Sequence, residues 1–164
     1  MFDTNVWQFT IMPRYGKTAE ALKNKLKDRP NYVLQVGIQL IEQLKYIHEA
    51  GYLHNNIKMS HIIVEPFDEQ ITKCVRLIDF SYSTKYRLEG VYHDMMKNIK
   101  STNSKNLVMK TSNQLRGQPN TRRDDLICLG YSMLMMAGKL PYHDLFKDLI
   151  KSKPLVEVKR IMME

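Results

Sequence analysis

Between Asn31 and Ala50, Val33, Val36, Leu40, Ile41, Leu44, Ile47 and His48 recur at spacings of three and four and share one face. That period predicts an amphipathic helix, and Gly51 stands where a helix commonly stops. Ahead of it, Trp7, Phe9 and Ile11 alternate with Gln8 and Thr10, the period of a short strand over Trp7 to Met12. Pro13 and Gly16 break that strand, and Thr18 is placed to cap a short helix running to about Lys27. After the long helix come two β-branched runs, Ile62-Ile63-Val64 and Cys74 to Ile78, separated by a turn-like stretch with Pro66 and Asp68. They predict a hairpin with a long connection. From Ser81 to Pro119 the periodicity is weak and Lys, Ser, Thr and Asn are frequent, which reads as a long loop. Thr121 then caps a second helix, with Asp124 three residues on. Leu126, Ile127, Leu129, Met133, Leu134 and Met136 make that helix apolar on most sides, so it is expected to be buried, and Gly138 ends it. Pro141 and Pro154 bracket a further short helix, and Leu155 to Met163 can form another. The fold class expected is mainly α with a small β-hairpin.

Composition adds little to this picture. A chain of 164 residues, 43% hydrophobic and 26% charged, suits one globular domain with a real core. Residues 1–9 lack a basic start followed by an apolar stretch, so no signal peptide is read, and no apolar run is long enough to span a bilayer. Cys74 and Cys128 lie in apolar runs without metal-ligand spacing and read as buried, reduced thiols. They suggest an intracellular compartment, cytoplasm or nucleus. Eleven methionines read as core filler.

Charge changes the picture more. The formal net charge is +8, and the stretch from Ser81 to Arg123 holds nine basic residues against Glu89 and Asp94, a net of +7. Lys97, Lys100, Lys105, Lys110 and Arg116 within it form a candidate surface for an acidic or phosphorylated protein partner. The plain alternative is a solvated loop with no dedicated partner. Nucleic acid is disfavoured because the aromatics Tyr82, Tyr86 and Tyr92 all lie near its start, which supports base stacking poorly.

The polar loop His54-Asn55-Asn56-Ile57-Lys58-Met59-Ser60-His61 follows the long helix, and Asp79-Phe80-Ser81 follows the hairpin. That order is similar to the catalytic loop H-R-D-L-x-x-x-N and the D-F-G turn of protein kinases. The run Arg122-Arg123-Asp124-Asp125-Leu126, with Leu129-Gly130-Tyr131 and Gly138-Lys139-Leu140-Pro141-Tyr142, resembles the vaccinia-related kinase family of the casein-kinase-type group. The resemblance covers roughly residues 9–142. It implies a kinase-like C-terminal lobe over 17–164, with residues 1–16 a remnant of the last N-lobe strand and hinge and the N-lobe largely absent. Within that lobe it places the catalytic-loop region at 54–61, the D-F-G-like turn at 79–81, the activation-type segment at 81–119 and the buried helix at 121–137.

The resemblance also assigns roles. The carboxylate that orients the nucleophile falls at position 56, where this chain has Asn56; an amide is uncharged and takes up no proton at neutral pH. General-base assistance contributes about 10²- to 10⁴-fold in rate. The second metal ligand falls at His61, where a surface or hairpin-start histidine without metal is the plainer reading. Asp79 stands at the remaining metal-ligand and cofactor-binding position, followed by Ser81 instead of glycine, and Lys58 stands at the phosphate-contacting lysine. His54 and Phe80 resemble the pair that packs the catalytic loop against the D-F-G segment. Asp125 resembles the helix aspartate that holds the loop backbone. The expectation is a pseudokinase-like interaction module with no cofactor, or Mg·ATP if nucleotide binding survives. A serine/threonine kinase of low activity and a basic nucleic-acid binder are the alternatives. An apolar patch near Trp7, Phe9 and Ile11 would make the chain poorly soluble or dependent on a partner.

Overall fold

The computed structural model describes residues 11–25, 29–65, 74–88, 91–92, 109–138, 148–149, 151–154, 157–158 and 160–161, with Lys25, Arg29, Leu88, Val91 and Tyr92 described by backbone alone. The architecture is mixed helical with small antiparallel sheets, so strand pairing reaches beyond the single hairpin that the sequence predicts. Trp7, Phe9 and most of the strand read over Trp7 to Met12 lie outside the described residues. Ile11 and Met12 are irregular, and Ile11 is 88% exposed.

Among the described residues the first strand is β1 (Lys17–Thr18), which pairs antiparallel with β3 (Ile62–Val64), and β3 pairs antiparallel with β4 (Val75–Leu77). Gly16 makes this approach possible, because a Cβ there would sit 2.1 Å from the Val64 carbonyl oxygen. Thr18 Oγ1 accepts from the Ala21 amide and starts α1 (Ala19–Leu22), which tightens into a 3₁₀ turn over Lys23–Lys25. The hairpin β3–β4 is as the β-branched runs predict; its connection at 66–73 lies outside the described residues.

The long helix α2 (Arg29–Glu49) buries Val33, Val36, Leu40, Leu44 and His48, while Ile47 is half-buried. Ile41 does not share that face and is 51% exposed, beside exposed Leu34 and Ile38. Gly51 (φ +86°) turns the chain out of the helix in the left-handed region.

Gln39 and Gln43, one turn apart on α2, serve the outer edge of β4. Gln39 Oε1 accepts from the Val75 amide at 3.0 Å and Gln43 Oε1 from the Leu77 amide at 3.0 Å, while Gln43 Nε2 donates to the Val75 carbonyl at 2.8 Å. The strand edge is thereby covered by side chains instead of a neighbouring strand.

The second helix, α4 (Arg122–Met136), packs on α2 and buries Cys128, Leu129, Ser132 and Met136. It is not buried on most sides: Leu126 and Leu134 are exposed, and Ile127 and Met133 are half-buried. Gly37 lies against the Met133 side chain, so the absence of a Cβ lets the two helices approach closely. Asp124 Oδ2 accepts from both the amide and the hydroxyl of Thr121 at 2.8 Å, which closes the N-terminus of α4.

The segment after Asp79 is more structured than a loop. It carries a 3₁₀ turn (Phe80–Tyr82), β5 (Thr84–Lys85), the ribbon β6 (Arg87–Leu88) and β7 (Val91–Tyr92), and then α3 (Ser112–Leu115). β5 pairs with β2 (Tyr52–Leu53). Cys128 is buried, and burial pushes its thiol pKa to about 12, whereas Cys74 is only half-buried. Among the described residues no helix is long and apolar enough to cross a membrane.

Candidate functional site

Past Gly51 the chain pairs briefly through β2 and then runs through His54 to Lys58 without regular structure. A loop of this kind needs partners for its backbone amides. Asp125, in the first turn of α4, supplies two of them: its Oδ2 accepts from the His54 amide and its Oδ1 from the Asn55 amide, both at 2.8 Å. His48 at the end of α2 adds a third contact, Nε2 to Asp125 Oδ2 at 2.9 Å. The carboxylate is 2% exposed and joins α2, the loop and α4.

His54 is fully buried. Its Nε2 donates to the Ile78 carbonyl at 3.1 Å and its Nδ1 accepts from the Asn56 amide at 3.2 Å, an arrangement that suits neutral imidazole. Burial lowers its pKa below the ordinary 6.5, against the opposing charge of Asp125. The Phe80 ring meets His54 edge-on, 4.8 Å between centroids, though Phe80 is half exposed.

Asn55 holds a left-handed backbone (φ +64°), which asparagine tolerates better than most residues. Its Nδ2 donates to the Tyr82 carbonyl and to Thr84 Oγ1 at 2.8 Å, and its Oδ1 accepts from Asn120 Nδ2 at 2.8 Å. The loop is thus tied to the segment after Asp79 and to the approach to α4. The sequence placed His48 only on the apolar face of its helix and gave Asn55 and Asn120 no role. The one available signal was that Asn55 begins the pair of amides in a loop bounded by histidines.

Asp79 is the centre of a compact polar cluster. It too has φ +64°, at the start of the 3₁₀ turn. Its Oδ2 receives Asn56 Nδ2 at 3.2 Å and faces His61 Nε2 at 3.1 Å. Its Oδ1 accepts from the Ser81 amide at 3.3 Å and from the Ser81 hydroxyl. Burial pushes the Asp79 pKa up, but the Ser81 hydrogen bonds and the charges of His61 and Lys58 outweigh it and hold the carboxyl below its ordinary value. His61 is buried, with Nδ1 3.0 Å from the Asn56 carbonyl; burial first, then Lys58, lowers its pKa despite Asp79. Lys58 is half-buried and acts on both groups through its charge.

Asp79, Phe80 and Ser81 line one wall of an open cleft of about 750 Å³ that is also lined by Met12, Tyr15, Gln43, Arg76 and Ile78. Arg76 lies over the Tyr15 ring and pairs with Glu65 at 2.9 Å, so the cleft's cation is already engaged. Of the basic surface proposed from sequence, Lys110 is half-buried and Arg116 exposed, on either side of α3. Lys97, Lys100 and Lys105 lie outside the described residues.

Comparison with known proteins bears on this arrangement. The B1 kinase of variola virus is 28% identical over 141 residues, 83% of this chain. The human serine/threonine-protein kinase VRK2 is 28% identical over 149 residues, 90% of this chain. The mouse serine/threonine-protein kinase VRK3 is 29% identical over 144 residues, 83% of this chain. The chain is a relative of the vaccinia-related kinases. It spans less than half the length of these relatives: 45% of the variola protein, 29% of VRK2 and 30% of the mouse protein. No family model matches the chain.

Kinases of this kind imply magnesium on the nucleotide phosphates. The side chains gathered at Asp79 are one carboxylate, one imidazole and one primary amide. Magnesium favours oxygen donors in near-octahedral order and accepts imidazole poorly. Both oxygens of Asp79 are also already hydrogen-bonded within the protein. The donor set does not fit magnesium.

Proposed function

We propose that the chain is a pseudokinase-like member of the vaccinia-related type that works by binding a protein partner and does not transfer phosphate. The observation that carries this reading is Asn56. It stands where the resemblance puts the nucleophile-orienting carboxylate, and its amide is spent as a donor to Asp79 at 3.2 Å. A group in that state neither accepts a proton from a substrate hydroxyl nor leaves Asp79 free for a metal. The partner proposed is an acidic or phosphorylated protein drawn to the basic stretch at 81–123, in the cytoplasm or nucleus.

The second reading, a serine/threonine kinase with residual activity, is favoured by the kinases to which the chain is related and by Asp79 and Lys58 at their motif positions. Thermal unfolding of the purified chain with and without Mg·ATP separates the two. A ligand bound only by the folded state raises the midpoint, by about 2.7 kcal/mol of stability at a hundredfold excess over Kd. The interaction reading expects one cooperative transition that Mg·ATP does not move. A clear upward shift that Asp79→Ala and Lys58→Ala abolish would favour the kinase reading.

A further inference from the structure

We propose that the open groove between the end of α2 and the first turn of α4 is a docking site for a phosphorylated side chain of a protein partner. The proposal rests on the reading that the basic stretch meets an anionic protein; it does not depend on whether the chain transfers phosphate. The groove has a volume of about 590 Å³ and lies apart from the cluster at Asp79. Three distant parts of the chain bring cations to it: Lys45 from α2, Arg87 from β6, and Arg122 and Arg123 from α4. All four are exposed. Among the described residues that line it, Glu49 is the one carboxylate, and its contact with Lys45 is a surface pair at 4.0 Å. A pair so exposed holds its members weakly. Asp124 and Asp125 share the first turn of α4 but are buried at 1% and 2% exposure, with their oxygens engaged inside. Like charges gathered around one opening repel, and a bound anion relieves that repulsion.

The cations are also held in place. The Gly51 carbonyl accepts from the amides of Tyr86 at 2.9 Å and Arg87 at 3.4 Å, which fixes the Arg87 backbone beside the end of α2. A Cβ at Gly51 would stand 3.2 Å from the Arg87 carbonyl oxygen, so the glycine gives room for that approach. The Arg122 guanidinium lies over the Tyr86 ring, 5.6 Å from its centroid. Groups positioned before binding lose less freedom when a ligand arrives. A phosphorylated side chain brings a charge of about −1.5 to −2 and three acceptor oxygens, which suits several cations better than one carboxylate does. The planar fork of arginine matches phosphate with paired hydrogen bonds. Leu126, 46% exposed, lines the same groove and offers an apolar seat beside the charge. Nucleic acid fits less well. The Tyr86 ring is 7% exposed, its hydroxyl donates to the His48 carbonyl and its face meets Arg122, so it offers no face to a base.

The test is fluorescence anisotropy of the purified chain with a short labelled peptide in which a phosphoserine stands next to a leucine, alongside the same peptide with glutamate or serine in place of the phosphoserine. The expected order of affinity is phosphoserine, then glutamate, then serine. Lys45→Gln and Arg123→Gln, both at exposed positions, are each expected to weaken phosphopeptide binding about two- to fivefold, and their combination about tenfold. Lys17→Gln removes an equal charge from an exposed position of β1 that does not line the groove, and is expected to leave the affinity within about 1.5-fold. Thermal unfolding establishes that each variant is folded. Phosphopeptide binding that Lys45→Gln and Arg123→Gln leave unchanged overturns the groove while an anionic protein partner still stands. An equal loss in Lys17→Gln reduces the binding to general attraction between opposite charges and overturns the groove too. If the unaltered chain binds neither the phosphoserine nor the glutamate peptide, the groove and the partner reading fall together. Equal affinity for those two peptides overturns the phosphate, and tighter binding of single-stranded DNA through the same side chains overturns the protein partner.

Discussion

Asp125 receives two backbone amides and faces one imidazole nitrogen from a position that is 2% exposed. Replacing it with alanine leaves buried donors unsatisfied, each costing about 1–3 kcal/mol. Asp125→Ala is therefore expected to lose about 3 kcal/mol or more, measured as a fall in the urea midpoint at unchanged slope. His54 gives a pH dependence of definite sign. Its folded pKa lies below the ordinary 6.5, mainly through burial. As the pH falls below about 6.5 the unfolded chain takes up a proton that the folded chain refuses, so stability falls on acidification, by up to about 1.4 kcal/mol per pH unit for one proton. His61, lowered in the same direction, adds to the effect. Urea unfolding at pH 7.5 and 5.5 checks this; a chain equally stable at both values contradicts it. The motif pointed to positions 54, 56, 61, 79, 80 and 125, and these side chains and amides do meet in space. It was silent on His48 and Asn120, because their contacts join residues 77 and 65 positions apart, and no local pattern marks a polar side chain whose partner is so remote. It was silent too on Asn56 as a donor to Asp79, which depends on where the chain returns after the hairpin.

The two long helices and the hairpin of the fold are written plainly in the hydrophobic period, as are the stops at Gly51 and Gly138, both at positive φ. The period was less informative about what covers a face. Ile41 and Leu126 belong to apolar stripes yet stand 51% and 46% exposed, since periodicity records that a face is apolar and not which element lies against it. The short strands β5, β6 and β7 escaped notice for a related reason: two-residue strands carry no alternation, and their pairing depends on tertiary placement. The partnership of α2 with β4 was equally hidden, because glutamines at positions 39 and 43 read as the polar side of a helix. Their role predicts a measurable cost. Gln43→Ala removes the acceptor for the Leu77 amide and the donor to the Val75 carbonyl, and is expected to destabilise the chain by about 1–3 kcal/mol. Gln35→Ala, one turn before Gln39 on α2, where Gln35 Nε2 donates to Asn31 Oδ1 at 3.3 Å on the exposed side, serves as the comparison and is expected to cost less than about 0.5 kcal/mol.

At the scale of the molecule, α2 and α4 form the frame, and the polar loop is suspended between them by one carboxylate. The kinases related to this chain extend well beyond the part it matches. Among the described residues, that frame and its loop are tied to Tyr82, Thr84 and Tyr86 in the segment after Asp79. Tyr86 extends that frame: its amide donates to the Gly51 carbonyl at 2.9 Å and its hydroxyl to the His48 carbonyl at 2.6 Å, fastening the later segment to the end of α2. Such wiring has a consequence for exchange with solvent. Loop amides without a helix or strand ordinarily trade hydrogen for deuterium quickly, through small local openings. The amides of His54 and Asn55 open only when Asp125 lets go, and Asp125 is rooted in the first turn of α4. In deuterium labelling they are expected to exchange with the slow core of α4 and not with the surface. In Asp125→Asn that slow behaviour is expected to disappear from the loop before it disappears from the helix.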